Sequence, residues 1–198
     1  MMMPTVQWYM RQKFPDVCQM TTDELNKHLT SVPTNNDIGL KLTDETINFP
    51  RNIVVIDSRR QDEFDVSHIP NSKLVHFPTD QETLLNFLTE ESRKHETSSA
   101  KNSDKKNLEI VCYCSLGYRS SILAQRMATV VKTDIFLSRK DIKLYNLEGS
   151  IFKWANENKH MIDLNEKTTK FAHPFSYTFC AFLQKANWKW TPDIKEKI

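Results

Sequence analysis

Two rhythms of apolar and polar positions run along this chain, and together they mark out strands separated by helices. Ile53-Val54-Val55-Ile56 is a continuous β-branched run, suited to a strand covered on both faces as in a parallel sheet. The apolar run from Ile110 to Tyr113 is long enough for a second buried strand, and Ile142-Lys143-Leu144-Tyr145 alternates as a third. A short strand is expected from Val17 and another over residues 73–77. Helical spacing follows at Leu84, Leu85 and Leu88, and in a segment from Ser120 whose apolar stripe is Leu123, Met127 and Val130. Thr21-Thr22-Asp23-Glu24 offers a cap with nearby carboxylates for a helix through Leu29.

Other stretches lack a period. Residues 1–14 mix Trp8, Tyr9 and Phe14 with polar residues and read as an N-terminal arm lying on the domain. Residues 31–50 are loop-like, because Pro33, Asn35, Asn36 and Gly39 interrupt any pattern. Residues 95–107 are polar and read as a mobile surface loop whose lysines are solvated rather than an anion-binding patch. Beyond Asp163, Phe171, Phe175, Tyr177, Phe179, Phe182, Trp188 and Trp190 are too apolar for a free tail. That segment is expected to fold back on the domain or to bind a protein partner through residues 171–190.

A chain of 198 residues, 39% hydrophobic, has room for one well-buried domain and an extension. Its 27 basic and 25 acidic residues leave a formal charge of +2, so composition argues for neither nucleic acid nor an anionic membrane as partner. No apolar run approaches the roughly 20 residues of a membrane span. The first residues lack a basic stretch followed by an apolar one, so no secretory signal is indicated. Cys18, Cys112, Cys114 and Cys180 do not show the spacing of a disulfide framework, which suits a reducing, cytoplasmic compartment.

The candidate chemistry lies between the Ile110–Tyr113 run and the amphipathic segment after it. Residues 114–119 must form a strand-to-helix turn, which points backbone N–H groups inward and adds the partial positive charge of a helix start. At the edge of that turn, amide dipoles and the Arg119 guanidinium would favour thiolate at Cys114. Gly117 supplies a position without a Cβ penalty, and Ser120 and Ser121 offer hydroxyls to the first helix amides. The competing reading is plain: an isolated free cysteine is more often a small buried hydrophobe. Cys112 falls within the strand, Cys18 and Cys180 lack such a loop, and C-x-C without other ligands is a weak metal signal. No metal or cofactor is expected.

The run Cys114-Ser115-Leu116-Gly117-Tyr118-Arg119-Ser120 resembles the active-site loop of the rhodanese family of sulfurtransferases. Two further stretches are similar to that family. Asp57, Arg59, Glu63, Phe64, His68, Ile69 and Pro70 fall on D-x-R-x-x-x-E-F-x-x-G-H-I-P-G-A, and residues 147–154 resemble L-E-G-G-x-x-x-W, with Trp154 a core anchor. Ser67, Asn71, Ser72 and Ser150 depart from the usual small residues there, and residues 133–141 are longer than the family's usual connection. The resemblance implies an α/β fold: a rhodanese-like central parallel sheet of about five strands, flanked by helices on both faces in three layers. The family domain would span 15–163, between the arm at 1–14 and the aromatic extension at 164–198.

The resemblance also implies a mechanism. Cys114 would take sulfane sulfur from a small anionic donor such as thiosulfate, hold it as a persulfide, and pass it to a thiol or cyanide. Ser115, Leu116, Gly117, Tyr118, Arg119 and Ser120 would bind the substrate, with Arg119 on the donor's anionic end. Asp57 and Arg59, leaving the C-terminal end of a central strand, would support the site. His68 is expected to be a structural hydrogen-bonder rather than a catalytic partner. Two rivals stand beside this reading. One is a Cys-dependent phosphatase, whose C-x-x-x-x-x-R loop has one residue more than the four between Cys114 and Arg119. The other is a rhodanese-fold binding or regulatory module without turnover.

Overall fold

In a computed structural model, which describes residues 3–30, 52–99 and 107–189, the apolar runs become strands of one parallel sheet. Along the chain come α1 (Met3–Lys13), β1 (Cys18–Met20), α2 (Thr22–Thr30), β2 (Ile53–Asp57), α3 (Gln61–Val66), β3 (Lys73–Leu74), α4 (Gln81–Ser99), β4 (Leu108–Tyr113), α5 (Tyr118–Thr133), β5 (Ile142–Leu147) and α6 (Ser150–Asn156). A small antiparallel ladder of β6 (Met161–Ile162) and β7 (Thr168–Thr169) follows, then 3-10 turns at Tyr177–Phe182 and Lys185–Asn187.

Five strands run in the order β1-β5-β4-β2-β3, every neighbouring pair parallel. Successive side chains of a strand point to opposite faces, and here both faces are covered. Val111 and Tyr113 of β4 join Val55 of β2, Leu25 and Leu29 of α2, and Phe152 and Trp154 of α6 in one core cluster. Ile110 and Cys112 join Ile56 of β2, Leu84 and Leu88 of α4, and Leu123, Met127 and Val130 of α5 in the other. The result is the three-layer α/β arrangement expected from the sequence. From β2 the chain moves outward to β3, whereas from β4 it moves the other way to β5. The C-terminal ends of β2 and β4 therefore flank the point where connections diverge, the usual place of a binding site in an open α/β sheet.

Several local expectations are corrected. Residues 3–13 are a helix rather than an irregular arm. Pro4 sits in its first turn, where a missing N–H costs nothing. None of its residues is fully buried, which is why its periodicity is faint; Met3 and Val6 touch one core cluster and Met10 the other. Strand β3 is two residues long, not five; its pairing with β2 ends when the Val75 N–H reaches the Asp57 carbonyl at 2.9 Å. Helix α4 continues through Ser99, so residues 95–99 are helical and not loop. Ion pairs of Glu91 with Lys73 (2.5 Å) and of Glu96 with Lys140 anchor that polar end from outside the helix. Residues 31–51, 100–106 and 190–198 lie outside the described residues, and with them the rest of both expected loops and Trp190. The 133–141 connection is packed: Asp134 Oδ1 accepts from the Phe136 and Leu137 N–H groups at 2.9 Å each, and Leu137 is buried.

The chain after β7 lies on the α6 side. Asn156 Nδ2 donates to the Phe182 carbonyl (2.8 Å), Asn187 Nδ2 to that of Ala155 (2.9 Å), and Phe175, Phe179, Phe182 and Trp188 pack against the first cluster. Among the described residues no helix is long and apolar enough to cross a membrane. Trp154, 1% exposed and donating its indole N–H to the His160 carbonyl at 2.9 Å, joins α6 to this cluster. Trp154→Ala is expected to cost about 3–5 kcal/mol, read as a lowered denaturant midpoint by far-UV circular dichroism.

Candidate active site

Helix α6 shapes the loop that follows β4. Its first amides have no intrahelical acceptor. Instead, the Ile151 N–H donates to the Cys114 carbonyl at 3.1 Å and the Phe152 N–H to the Ser115 carbonyl at 3.2 Å. The loop's carbonyls therefore face α6, and the Gly117 N–H points at Cys114 Sγ, 3.1 Å away. Ser150, standing where the resembled pattern has glycine, adopts φ 52° and accepts the Cys114 N–H on its hydroxyl at 3.2 Å. Gly117 has φ 110°, and a Cβ there would meet the Asn146 amide at 3.3 Å, so the bend requires glycine. On the β2 side, the Tyr113 carbonyl accepts both the backbone N–H and the hydroxyl of Ser58 at 2.9 Å.

Cys114 is only 2% exposed, deeper than a position at the edge of the turn suggests. Burial pushes its thiol towards the neutral form, but the charge of Arg119 and the N–H groups of Ser120 and Gly117 outweigh burial. The thiol consequently titrates below its ordinary value. Cys112 shows the opposite case, since burial without such partners pushes its thiol up to about 12.

Arg119 does not stand open to a donor. Its Nη1 and Nη2 donate to Glu63 Oε2 and Oε1, both at 2.8 Å, and Nη2 also reaches Ser115 Oγ at 2.9 Å. Glu63 also accepts from Ser115 Oγ (3.0 Å) and from the Arg60 N–H (3.2 Å) at the start of α3. Against burial, which would raise it, these bonds and the Arg119 and Arg59 charges hold its carboxyl at about 2. The Phe175 ring lies 4.7 Å from the Arg119 guanidinium.

Other expected substrate-binding side chains are turned to structural partners. Leu116 is buried in the core, and Tyr118, 42% exposed, stacks edge-on against Phe14 at 5.5 Å beneath Lys13. The Ser120 hydroxyl donates to Asn146 Oδ1 (2.6 Å) and that of Ser121 to the Gly117 carbonyl (2.6 Å), so neither caps the helix, which begins at Tyr118. Asp57 and Arg59 form a fully buried ion pair at 2.7 Å, and Arg59 Nη2 also donates to the Ser67 carbonyl at 2.5 Å. This pair fastens the loop after α3, and Arg59 Nη1 is left buried without a hydrogen-bond partner. His68 bonds the Phe64 carbonyl through Nδ1 at 3.1 Å and stacks on the Phe64 ring at 3.8 Å. Asn71 meets its left-handed turn (φ 57°) as a residue type that tolerates it.

Glu63, Asn146 and Phe175 carry contacts that sequence reading left without a role. Glu63 lies in the stretch that resembles the family's D-x-R-x-x-x-E-F pattern, and a carboxylate in a run with Arg59 and Arg60 is the signal that marks it. Nothing local marks Phe175.

The model of the rhodanese-like domain family matches residues 42–157, more than half of the chain, and the chain belongs to that family. Among curated proteins nothing matches it. Solved structures similar to it include the As-Sb reductase of Leishmania major, at 16% identity over 77% of this chain and 91% of that one, with a TM-score of 0.49. A thiosulfate sulfurtransferase of Pseudomonas aeruginosa shares 13% identity over 84% of this chain but 24% of its own length, TM-score 0.46. A yeast protein tyrosine phosphatase of the rhodanese family shares 18% over 70% and 83%, TM-score 0.42.

Two outcomes are expected from this geometry. A carboxyl held at about 2 instead of 4.5 stabilises the fold fully above its unfolded value and loses that contribution as pH falls through about 2. Acid titration of stability should thus show a loss on the order of 3 kcal/mol in that window. Glu63→Gln should abolish the loss and lower neutral-pH stability by about 3–5 kcal/mol in denaturant melts, because Arg119 is left buried without its counter-charge. Separately, alkylation of Cys114 by iodoacetamide, followed against pH, should show a midpoint below 9.0 that rises in Arg119→Met.

Proposed function

We propose that this chain is a sulfurtransferase that moves sulfane sulfur from a donor such as thiosulfate to a thiophilic acceptor through a persulfide on Cys114. The observation that carries the reading is the Gly117 N–H aimed at Cys114 Sγ from 3.1 Å, in a loop that favours the thiolate. Cys114 Sγ attacks the outer sulfur of thiosulfate; the new S–S bond forms as the donor's S–S bond breaks, and sulfite leaves with the electron pair. The terminal sulfur carries the negative charge, and the loop amides that held the thiolate receive it with little rearrangement. A thiol or cyanide then attacks that sulfur and restores the Cys114 thiolate. The two half-reactions balance without a cofactor, and a resting thiolate suits a reducing, cytoplasmic setting.

In this reading Ser115 holds Arg119 and Glu63 together, Leu116 seals the loop's underside, and Gly117 supplies the amide. Arg119 acts on the thiolate through its charge while fixed to Glu63. A phosphatase would set its guanidinium bidentate on two phosphoryl oxygens, and both terminal nitrogens of Arg119 are already on Glu63. Incubation with thiosulfate is expected to add the mass of one sulfur atom to the intact protein, and cyanide to remove it as thiocyanate. Cys114→Ser should abolish both. Turnover of an aryl phosphate in place of sulfur loading would favour the phosphatase reading, and silence in both assays a binding module.

A further inference from the structure

Strand β5 carries one residue against its own pattern. Ile142 and Leu144 pack on the second core cluster, and Asn146, next on that face, is an amide only 1% exposed where an apolar side chain would close the core. A buried amide is tolerated when its hydrogen bonds are made. Asn146 Nδ2 donates to Gln19 Oε1 at 2.8 Å and to the Leu147 carbonyl at 3.4 Å, while its Oδ1 accepts the Ser120 hydroxyl at 2.6 Å. Gln19 is half-buried on β1, at the edge of the sheet, and its Nε2 donates to the Val17 carbonyl at 3.1 Å.

Each amide in this chain fixes the next, because one end of an amide donates and the other accepts. With Gln19 Nε2 on the Val17 carbonyl, Gln19 Oε1 faces Asn146 and takes its Nδ2. Asn146 Oδ1 is then turned to Ser120 and takes the hydroxyl proton. A hydroxyl has one proton to give. Ser120 stands beside the reactive sulfur: Asn146 Nδ2 lies 3.3 Å from the point a Gly117 Cβ would occupy, the Gly117 N–H is 3.1 Å from Cys114 Sγ, and the Ser120 N–H also acts on that sulfur. The hydroxyl, spent on Asn146, gives the thiolate nothing. The charge that favours the thiolate comes from Arg119, held in turn by Glu63, and the Cys112 thiol nearby, pushed up to about 12, stays neutral.

We propose that Gln19 and Asn146 are positioning residues that keep the Ser120 hydroxyl turned away from Cys114, so that backbone amides and the Arg119 charge alone hold the thiolate. The catalytic sense of this rests on the sulfur-transfer reading. There Cys114 Sγ is the nucleophile when sulfur is loaded, and a hydroxyl bonded to it would make it more acidic but a weaker nucleophile. Withholding that hydroxyl sets the balance towards attack. The control runs from a half-buried side chain on an edge strand, through one buried amide, to the first turn of α5.

The test is the pH dependence of iodoacetamide alkylation of the full chain, read at Cys114 by peptide mass. Gln19→Leu removes the anchoring amide, lets Asn146 turn and frees the Ser120 hydroxyl to donate to the sulfur. The acid ionisation constant of Cys114 is expected to rise about fivefold, the effect of one hydrogen bond of about 1 kcal/mol. Gln19→Glu, whose carboxylate oxygens only accept, keeps Asn146 in place and should not lower the midpoint. In a Ser120→Ala background, whatever midpoint that variant has, Gln19→Leu should shift it no further. A midpoint unmoved or raised by Gln19→Leu, one lowered by Gln19→Glu, or a Gln19→Leu shift that survives without the Ser120 hydroxyl overturns the proposal. Below the midpoint, persulfide loading from thiosulfate should be only about twofold faster in Gln19→Leu, the gain in thiolate being partly offset by weaker nucleophilicity, and a full fivefold gain overturns the catalytic sense. If the wild type takes no sulfur from thiosulfate, the sulfur-transfer reading fails, and the alkylation profiles still decide the amide chain.

Discussion

The buried carboxylate of Glu63 is the group on which the loop depends. Taking an anion out of water is costly, and it is tolerated only where enough donors replace the lost hydration. Here both terminal nitrogens of Arg119, the Ser115 hydroxyl and the Arg60 amide converge on its two oxygens. One side chain on α3 thereby fixes the direction of Arg119, the rotamer of Ser115 and the start of its own helix. Because the guanidinium cannot swing, its charge stays near Cys114, where it counters the cost of burying a thiolate.

A second constraint comes from below. The first amides of α6 need acceptors, and the carbonyls of Cys114 and Ser115 supply them. Satisfying one element's hydrogen bonds thus sets another element's polarity: with carbonyls turned to α6, the Gly117 N–H is left facing the sulfur. The Ser150 hydroxyl, absent from the glycine of the resembled pattern, adds a bond to the Cys114 amide from the same helix. The site is built from two helix starts and one carboxylate, and none of these groups lies far from the diverging ends of β2 and β4.

The C-terminal segment joins this arrangement from outside the family match. Its described aromatic residues pack on the α6 side of the core, and the Phe175 ring also meets the Arg119 guanidinium of the loop. An arginine held by a carboxylate and stacked on one face by a ring keeps its charge in a fixed position.

Local pattern sufficed for the elements with strong apolar rhythm. β2, β4 and β5, the stripe of α5 and the turn holding Cys114 and Gly117 were all legible, because burial on a regular backbone imposes a period on neighbouring residues; Trp154 was marked by the resemblance to the family's motif. Helix α1 was not, since a helix with no fully buried residue has little reason to segregate its faces. The polar last turns of α4 were not, since their support comes from Lys73 and Lys140 on other elements. The sequence by itself thus determined the fold class, the place of Cys114 in the turn after β4 and the four-residue gap to Arg119. Only the tertiary structure decided what Arg119 does. Glu63 lies 56 positions before it and Phe175 far beyond it, and the choice between facing a ligand and facing these two residues is made by packing in space, which leaves no periodic mark along the chain.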